Sequence, residues 1–312
     1  MQTEARQVKV AVIGVGHLGH HHARIYTEVP GVELTAVVDI AEPRRREVGG
    51  RLHVPALSDY RELLGNVDAV SVAVPTVFHH QITREFLLAG TDVLVEKPIT
   101  RTLREADDLV GIAAGTGRIL QVGHSERYNG GVQALAQHVH DPGFIEVHRM
   151  GPFPSRGTDV DVVLDLMIHD IDIILTLVGS PVTSVSAVGV PVVSDQVDIA
   201  NARLEFASGC VANITASRVT GERLRRIRVF QRDTYFVLDY ASQELHLFRP
   251  APSGGAGKSR LNRVEIPVAR KEPLRQELTD FVDSVRSRRP PLVAGEAGRD
   301  ALAVAALIIE RL

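Results

Sequence analysis

The tightest constraint on this chain lies near its start. An apolar, β-branched run, Val8 to Ile13, passes straight into Gly14-Val15-Gly16-His17-Leu18-Gly19 and then into a helical pattern. Few folds accept a strand that ends in G-x-G-x-x-G and opens a helix. Gly14 permits the tight turn, Gly16 lets a pyrophosphate approach the backbone, and Gly19 lets the helix pack on the strand. The first N–H groups of that helix then face an anion. A second apolar run, Glu33 to Val38, ends in Asp39. That acid stands about 20 residues past the glycines, where a carboxylate reaches a ribose 2′-hydroxyl. The pattern implies a dinucleotide site built from Gly14, Gly16, His17, Leu18, Gly19 and Asp39. His17 and His22 either face the cofactor or solvate the helix start, and neither is counted as catalytic. The charge of Asp39 opposes a 2′-phosphate and points to NAD, although Arg44, Arg45 and Arg46 could serve one, so NADP stays open.

Strand and helix signals alternate from residue 8 to 124, with strands at 8–13, 33–38, 54–57, 69–74, 92–95 and 118–122. Most are unbroken apolar runs, as parallel strands covered on both faces require. The helix read over 102–115 opens on Thr102 with Glu105 three residues on, a capping box. Six strands alternating with helices give an α/β, doubly wound parallel sheet of the Rossmann type, whose ligands sit beyond the carboxyl ends of the strands. That rule singles out Pro75, Thr76 and His79 after the fourth strand and Glu96-Lys97-Pro98 after the fifth. After the sixth it selects His124, Arg127 and Tyr128. The chain's 312 residues fit two domains, expected at 1–124 and 125–312.

Beyond about residue 143 short alternating segments take over: 144–150, 182–190, 197–206, 210–217, 226–231, 234–239 and 244–248. They predict an α+β domain with an open, mostly antiparallel sheet, its hairpins turning at Ala207-Ser208-Gly209 and Arg232-Asp233. Residues 250–262 read as a mobile loop. Helices over 272–288 and 296–311 close the chain and are expected to pack back on the first domain. The open sheet predicts a homodimer or homotetramer formed through its uncovered face. A net charge of −3 gives no reason to expect nucleic acid or an anionic membrane as partner. The single cysteine, Cys210, excludes an intrachain disulfide. No apolar run approaches the ~20 residues of a membrane span. Residues 1–7 are polar and lead directly into the first strand, so no signal peptide is expected and the chain is expected in the cytoplasm.

The segment Asp161 to Leu175 reads as a buried helix that nevertheless carries Asp161, Asp165, His169 and Asp172 at steps of four, four and three. At helical pitch these fall within an arc of about 80°, with Asp170 on the opposite face. Buried carboxylates need partners. Asp161 and Asp172 suit a hydrogen-bonded polar seam at least as well as catalysis. An i, i+4 carboxylate such as Asp165 can orient the His169 imidazole and raise its basicity, as a general base requires. The helix lacks a second histidine at metal-ligand spacing, so no metal is expected.

Together Gly14-x-Gly16-x-x-Gly19, Pro75 with His79, Glu96-Lys97-Pro98 and Asp165-x-x-x-His169 resemble the Gfo/Idh/MocA family of nicotinamide-dependent sugar oxidoreductases, over nearly the whole chain. The resemblance implies that Lys97 lies between nicotinamide and substrate hydroxyl, with His169 the proton acceptor and Asp165 on the same substrate side. It further implies that Glu96 and Pro98 fix the lysine's loop, with a cis Lys97–Pro98 bond in keeping with proline's low cost for that isomer. Two departures stand out: Gly130 follows Asn129 where many members carry proline, and Gly157-Thr158-Asp159-Val160-Asp161 replaces the glycine-rich lead-in. The stretch from Ser155 is similar to members that oxidise the 3-hydroxyl of UDP-N-acetylglucosamine. On that reading Arg127, Arg156 or nearby basic residues meet the diphosphate. Free sugars or inositols are the alternative substrates. A regulator that binds the dinucleotide without catalysis, or a biliverdin or imine reduction, is the alternative activity.

Overall fold

The computed structural model describes residues 7–153, 161–251 and 261–312. The first unit begins β1 (Val8–Ile13), α1 (Gly19–Glu28), β2 (Val32–Val38), α2 (Glu42–Leu52), β3 (Ala56–Leu57), β4 (Ala69–Val72), α3 (His79–Leu88), β5 (Asp92–Glu96), α4 (Leu103–Thr116) and β6 (Leu120–Gly123). Its strands form one parallel sheet ordered β3-β2-β1-β4-β5-β6. The strand order reverses beside β1, which makes the loop at Gly14 a topological switch point. Val10, Val12 and Val37 are wholly covered and join Ile25 and Tyr26 of α1 in one core. The capping box of α4 forms as read: the Thr102 hydroxyl accepts the Glu105 N–H at 3.3 Å and the Glu105 carboxylate accepts that of Thr102 at 3.1 Å. The helix stops at Gly117, where φ reaches +63°.

The second unit holds α5 (Gly130–His138), β7 (Phe144–Met150), α6 (Ile168–Val178), β8 (Val182–Val190), β9 (Ile199–Phe206), β10 (Val211–Ser217), β11 (Leu224–Gln231), β12 (Thr234–Asp239), β13 (Glu244–Pro250) and β14 (Leu261–Ile266). Eight strands run in the order β14-β13-β12-β11-β7-β10-β9-β8, antiparallel except for the β7–β10 pair. Alternate residues such as Ile145, Val147, Ala202, Leu204 and Ile214 point into a core shared with Ile168, Ile171 and Ile174 of α6. The other face carries a ladder of rings, Phe144, Phe230, Tyr235 and Phe248, with successive centroids 5.7, 5.2 and 4.5 Å apart.

Two elements were not expected. The α5 helix opens on Gly130-Gly131, poor helix formers, and is started by the Asn129 side chain accepting the Gly131 N–H at 2.9 Å. Of the expected loop over 250–262, residues 252–260 lie outside the described residues, Pro250 ends β13 and Leu261 opens β14, an edge strand paired with β13. The closing helices are α7 (Pro273–Ser287) and α8 (Gly295–Ile309). Helix α7 packs Leu278, Phe281 and Val282 into the first unit's core. Helix α8 corrects the expectation that both pack on the first domain. Only its first turn, to Arg299, groups with the first unit, while Ala301, Val304, Ala305 and Ile308 enter the second unit's core. Among the described residues, no helix is long and apolar enough to cross a membrane.

Candidate active site

In the first unit the glycine loop leaves no room for side chains where it touches protein. A Cβ on Gly14, where φ is +84°, would sit 2.7 Å from the Ala73 carbonyl, and one on Gly19 would sit 1.8 Å from that of Gly14. Helix α1 therefore begins directly against the loop, and its start carries no side-chain cap. Gly16 is half-exposed and meets only the Arg44 guanidinium, at 3.3 Å from a built Cβ. The Asp39 carboxylate accepts the Val15 N–H at 3.0 Å and the Ala41 N–H at 2.8 Å, which fixes it at the end of β2. An uncapped helix start, a bare glycine backbone and a fixed carboxylate fit an anionic dinucleotide. His17 and Leu18 are exposed at this edge. His22 neither faces it nor solvates the helix start: it is wholly buried on the sheet side of α1.

After β4, Pro75 is exposed and Thr76 opens a short 3-10 turn ending at Phe78. His79 is buried, its Nδ1 2.9 Å from the Pro98 carbonyl and its Nε2 2.8 Å from that of Val74. Its ring thus stands between the loops after β4 and β5, and as a neutral imidazole it donates to one of the two carbonyls. Burial holds its pKa below the usual histidine value against the pull of those carbonyls. Glu96, buried at the end of β5, accepts the Lys97 backbone N–H at 3.2 Å. Lys97 itself is half-buried, and the Lys97–Pro98 bond is cis. His124 lies wholly buried just past β6.

In the second unit the helical arc read from sequence is interrupted. Residues Val163–Met167 form a π-helical turn before α6, so a uniform α-helical pitch does not carry from Asp161 to Asp172. Such turns recur at functional sites. Asp161 starts the turn by accepting the N–H groups of Val163 and Leu164 at 2.8 and 3.0 Å. Asp165, on the π turn, and His169, one residue into α6, are both half-buried. Asp172 is buried and takes Arg127 at 3.1 Å, while Arg127 also bonds the Thr176 hydroxyl. Burial pushes the Asp172 carboxyl up to about 7, with Arg127 opposing. Arg127 is therefore committed inside this unit, and Tyr128 beside it is buried. Arg156 lies outside the described residues.

Sequence reasoning set Asp170 on the opposite face and gave it no partner. It forms a two-pronged pair with Arg149 of β7 at 2.6 and 2.9 Å, and Arg149 also reaches Glu126 at 3.0 Å. No local pattern announces a pair made between a strand and a helix 21 residues on.

A profile described as an oxidoreductase family with an NAD-binding Rossmann fold matches residues 8–124, and one for the GFO/IDH/MocA C-terminal domain matches 135–235. The UDP-N-acetylglucosamine 3-dehydrogenase of Acidithiobacillus ferrooxidans is 37% identical, with 96% of this chain and 95% of that protein aligned. The chain belongs to the Gfo/Idh/MocA oxidoreductase family. A solved structure of that Acidithiobacillus enzyme matches with a TM-score of 0.92 over 99% of this chain and 98% of the other, at 36% identity. The family's inositol enzymes are also similar: the myo-inositol 2-dehydrogenase of Thermotoga maritima is 30% identical over 95% of this chain and 93% of its own length. Membership makes NAD the cofactor that the glycine loop and Asp39 fit.

Proposed function

We propose that this protein is an NAD-dependent dehydrogenase of a nucleotide sugar, acting on the 3-hydroxyl of UDP-N-acetylglucosamine. The observation that carries the substrate is the 37% identity, spread over 96% of the chain, to an enzyme named for that reaction. The chemistry rests on Lys97 after β5 and on Asp165 with His169. When bound, NAD supplies the acceptor for the hydride that leaves the substrate carbon. Gly14, Gly16, His17, Leu18, Gly19 and Asp39 hold its pyrophosphate and ribose, with Pro75, Thr76 and Glu96 beside them. His79 braces that edge from within. His169 takes the hydroxyl proton, oriented by Asp165, while the Lys97 ammonium stabilises charge developing on the same oxygen. His124, Arg127, Tyr128 and Arg156 belong to the substrate side, with Arg156 assigned to the diphosphate because Arg127 is already held by Asp172.

The test is formation of NADH on adding UDP-N-acetylglucosamine. Lys97→Ala and His169→Ala are expected to lower kcat by about 10²–10⁴, the usual worth of a general acid or base, while NAD still raises the melting temperature. Normal turnover in both variants would refute the assignment. Turnover of inositol and not of UDP-sugar would favour the second reading, which rests on the 30% identity to the myo-inositol enzyme.

The ring ladder on the open face of the second sheet supports a homodimer or homotetramer formed there, to be read by light scattering, and the site of action is the cytoplasm.

A further inference from the structure

We propose that His22, braced by Ser71, is a positioning residue for Lys97, acting through the Glu96 carboxylate. The inference rests on the role given to Lys97 above. His22 stands where the spacing of α1 calls for an apolar residue: Gly19, Ala23, Ile25 and Tyr26 share its buried face. An imidazole in such a place is costly unless its nitrogens meet polar groups. Nδ1 is hydrogen-bonded, and Nε2 is in close polar contact without hydrogen-bond alignment. Nδ1 lies 2.7 Å from the Ser71 hydroxyl, in the middle of the otherwise apolar β4, and Nε2 lies 3.1 Å from Glu96 Oε1. The other oxygen of the same carboxylate accepts the Lys97 N–H.

Glu96 is thus approached by the His22 ring on one oxygen and bonded by the Lys97 N–H on the other, while Ser71 holds the far side of the ring. Three elements, α1, β4 and β5, are thereby linked by side chains to the first peptide of the lysine's loop. The surroundings leave Glu96 little freedom. A Cβ on Gly123 of β6 would meet its Oε2 at 2.8 Å, so the glycine makes the space the carboxylate fills. Glu277 of α7, wholly buried, forms another part of the wall. Burial and then the neighbouring Glu96 push its pKa well up, so it presents an uncharged acid. None of these residues needs to touch substrate. Their effect is on where Lys97 starts.

The experiment compares His22→Leu, which keeps bulk and removes both polar contacts, with His22→Gln, whose amide can still reach Glu96. Wild type and Lys97→Ala are run alongside. His22→Leu is expected to lower kcat by about 10²-fold, the cost of a small misplacement of a reacting group, with KM for NAD within about twofold. His22→Gln should recover most of the loss. Gly123→Ala, which crowds the carboxylate from the opposite strand, should give the same kcat-selective pattern. Should His22→Leu fold poorly, His22→Gln, Ser71→Ala and Gly123→Ala carry the comparison. The proposal is overturned if His22→Leu, Ser71→Ala and Gly123→Ala, where folded, lose melting temperature and keep kcat, or if KM for NAD rises in step with the loss. If Lys97→Ala itself turns over normally, both this inference and the proposed mechanism fall. If Lys97→Ala is inactive and the His22, Ser71 and Gly123 variants turn over normally, only this inference does.

Discussion

Glu277, Tyr26 and His79 lie buried in the first unit as uncharged groups, whereas Arg149 with Asp170 and Arg218 with Asp198 lie buried in the second as charged pairs. Burial pushes Glu277 and Tyr26 up and His79 down, so each sits in its neutral form. In the second unit Arg149 faces Asp170, and Arg218 faces Asp198 at 2.8 Å, all four almost fully covered. Both arrangements answer the same desolvation penalty. They differ in what disturbs them. A neutralised group makes stability depend on pH, and a buried pair makes it depend on the partner. Asp172 lies between the two cases, for it has Arg127 and is still pushed up to about 7.

The largest effect should come from splitting a pair. Arg149→Leu leaves Asp170 covered without its countercharge and is expected to destabilise the protein by about 3–5 kcal/mol in urea unfolding. Replacing Arg149 and Asp170 together by leucines should cost far less. Equal losses in the single and double variants would break the contrast between the units.

Next in size is Glu277→Gln. The folded pKa of Glu277 is raised, so as pH climbs past its ordinary 4.5 the unfolded chain loses this proton first and stability falls. The glutamine removes that slope, worth at most about 1.4 kcal/mol per pH unit. The variant should therefore gain on the wild type as pH rises past 4.5, and parallel stability curves would rule the neutral acid out.

The smallest effect concerns His79. Its folded pKa is depressed below 6.5, so its contribution is present above that pH and is lost as pH falls through the folded value. Melting curves of wild type and His79→Gln should converge on acidification. Divergence would mean that the ring is charged where it lies.

The first unit was the more legible one because its signals are local. The glycines follow their strand directly, Asp39 ends the next strand, and Thr102 caps a helix three residues from Glu105. Where partners lie far apart the sequence is silent. Ser71 is 49 residues from His22, and Asp170 is 21 from the Arg149 that holds it. The arc from Asp161 to Asp172 was misread because periodicity assumes one helical pitch, and the π turn at Val163–Met167 changes it. Hydrophobic spacing also foretold α8 as a helix without revealing that its later turns enter the second unit's core.

The one parallel pair in the second sheet governs how that sheet can assemble. Phe144 of β7 faces Val211 of β10 on one side and Phe230 of β11 on the other. Strand β7 leaves the ribosome before either neighbour exists, so hairpins β8–β9 and β11–β12 can zip locally while the central strand waits. Bringing such distant segments together carries a loop-closure entropy that short hairpins avoid, and folds dominated by distant pairings form slowly. The middle of this sheet is thus made first and paired late, and until β10 arrives both edges of β7 offer unpaired backbone groups to any other strand.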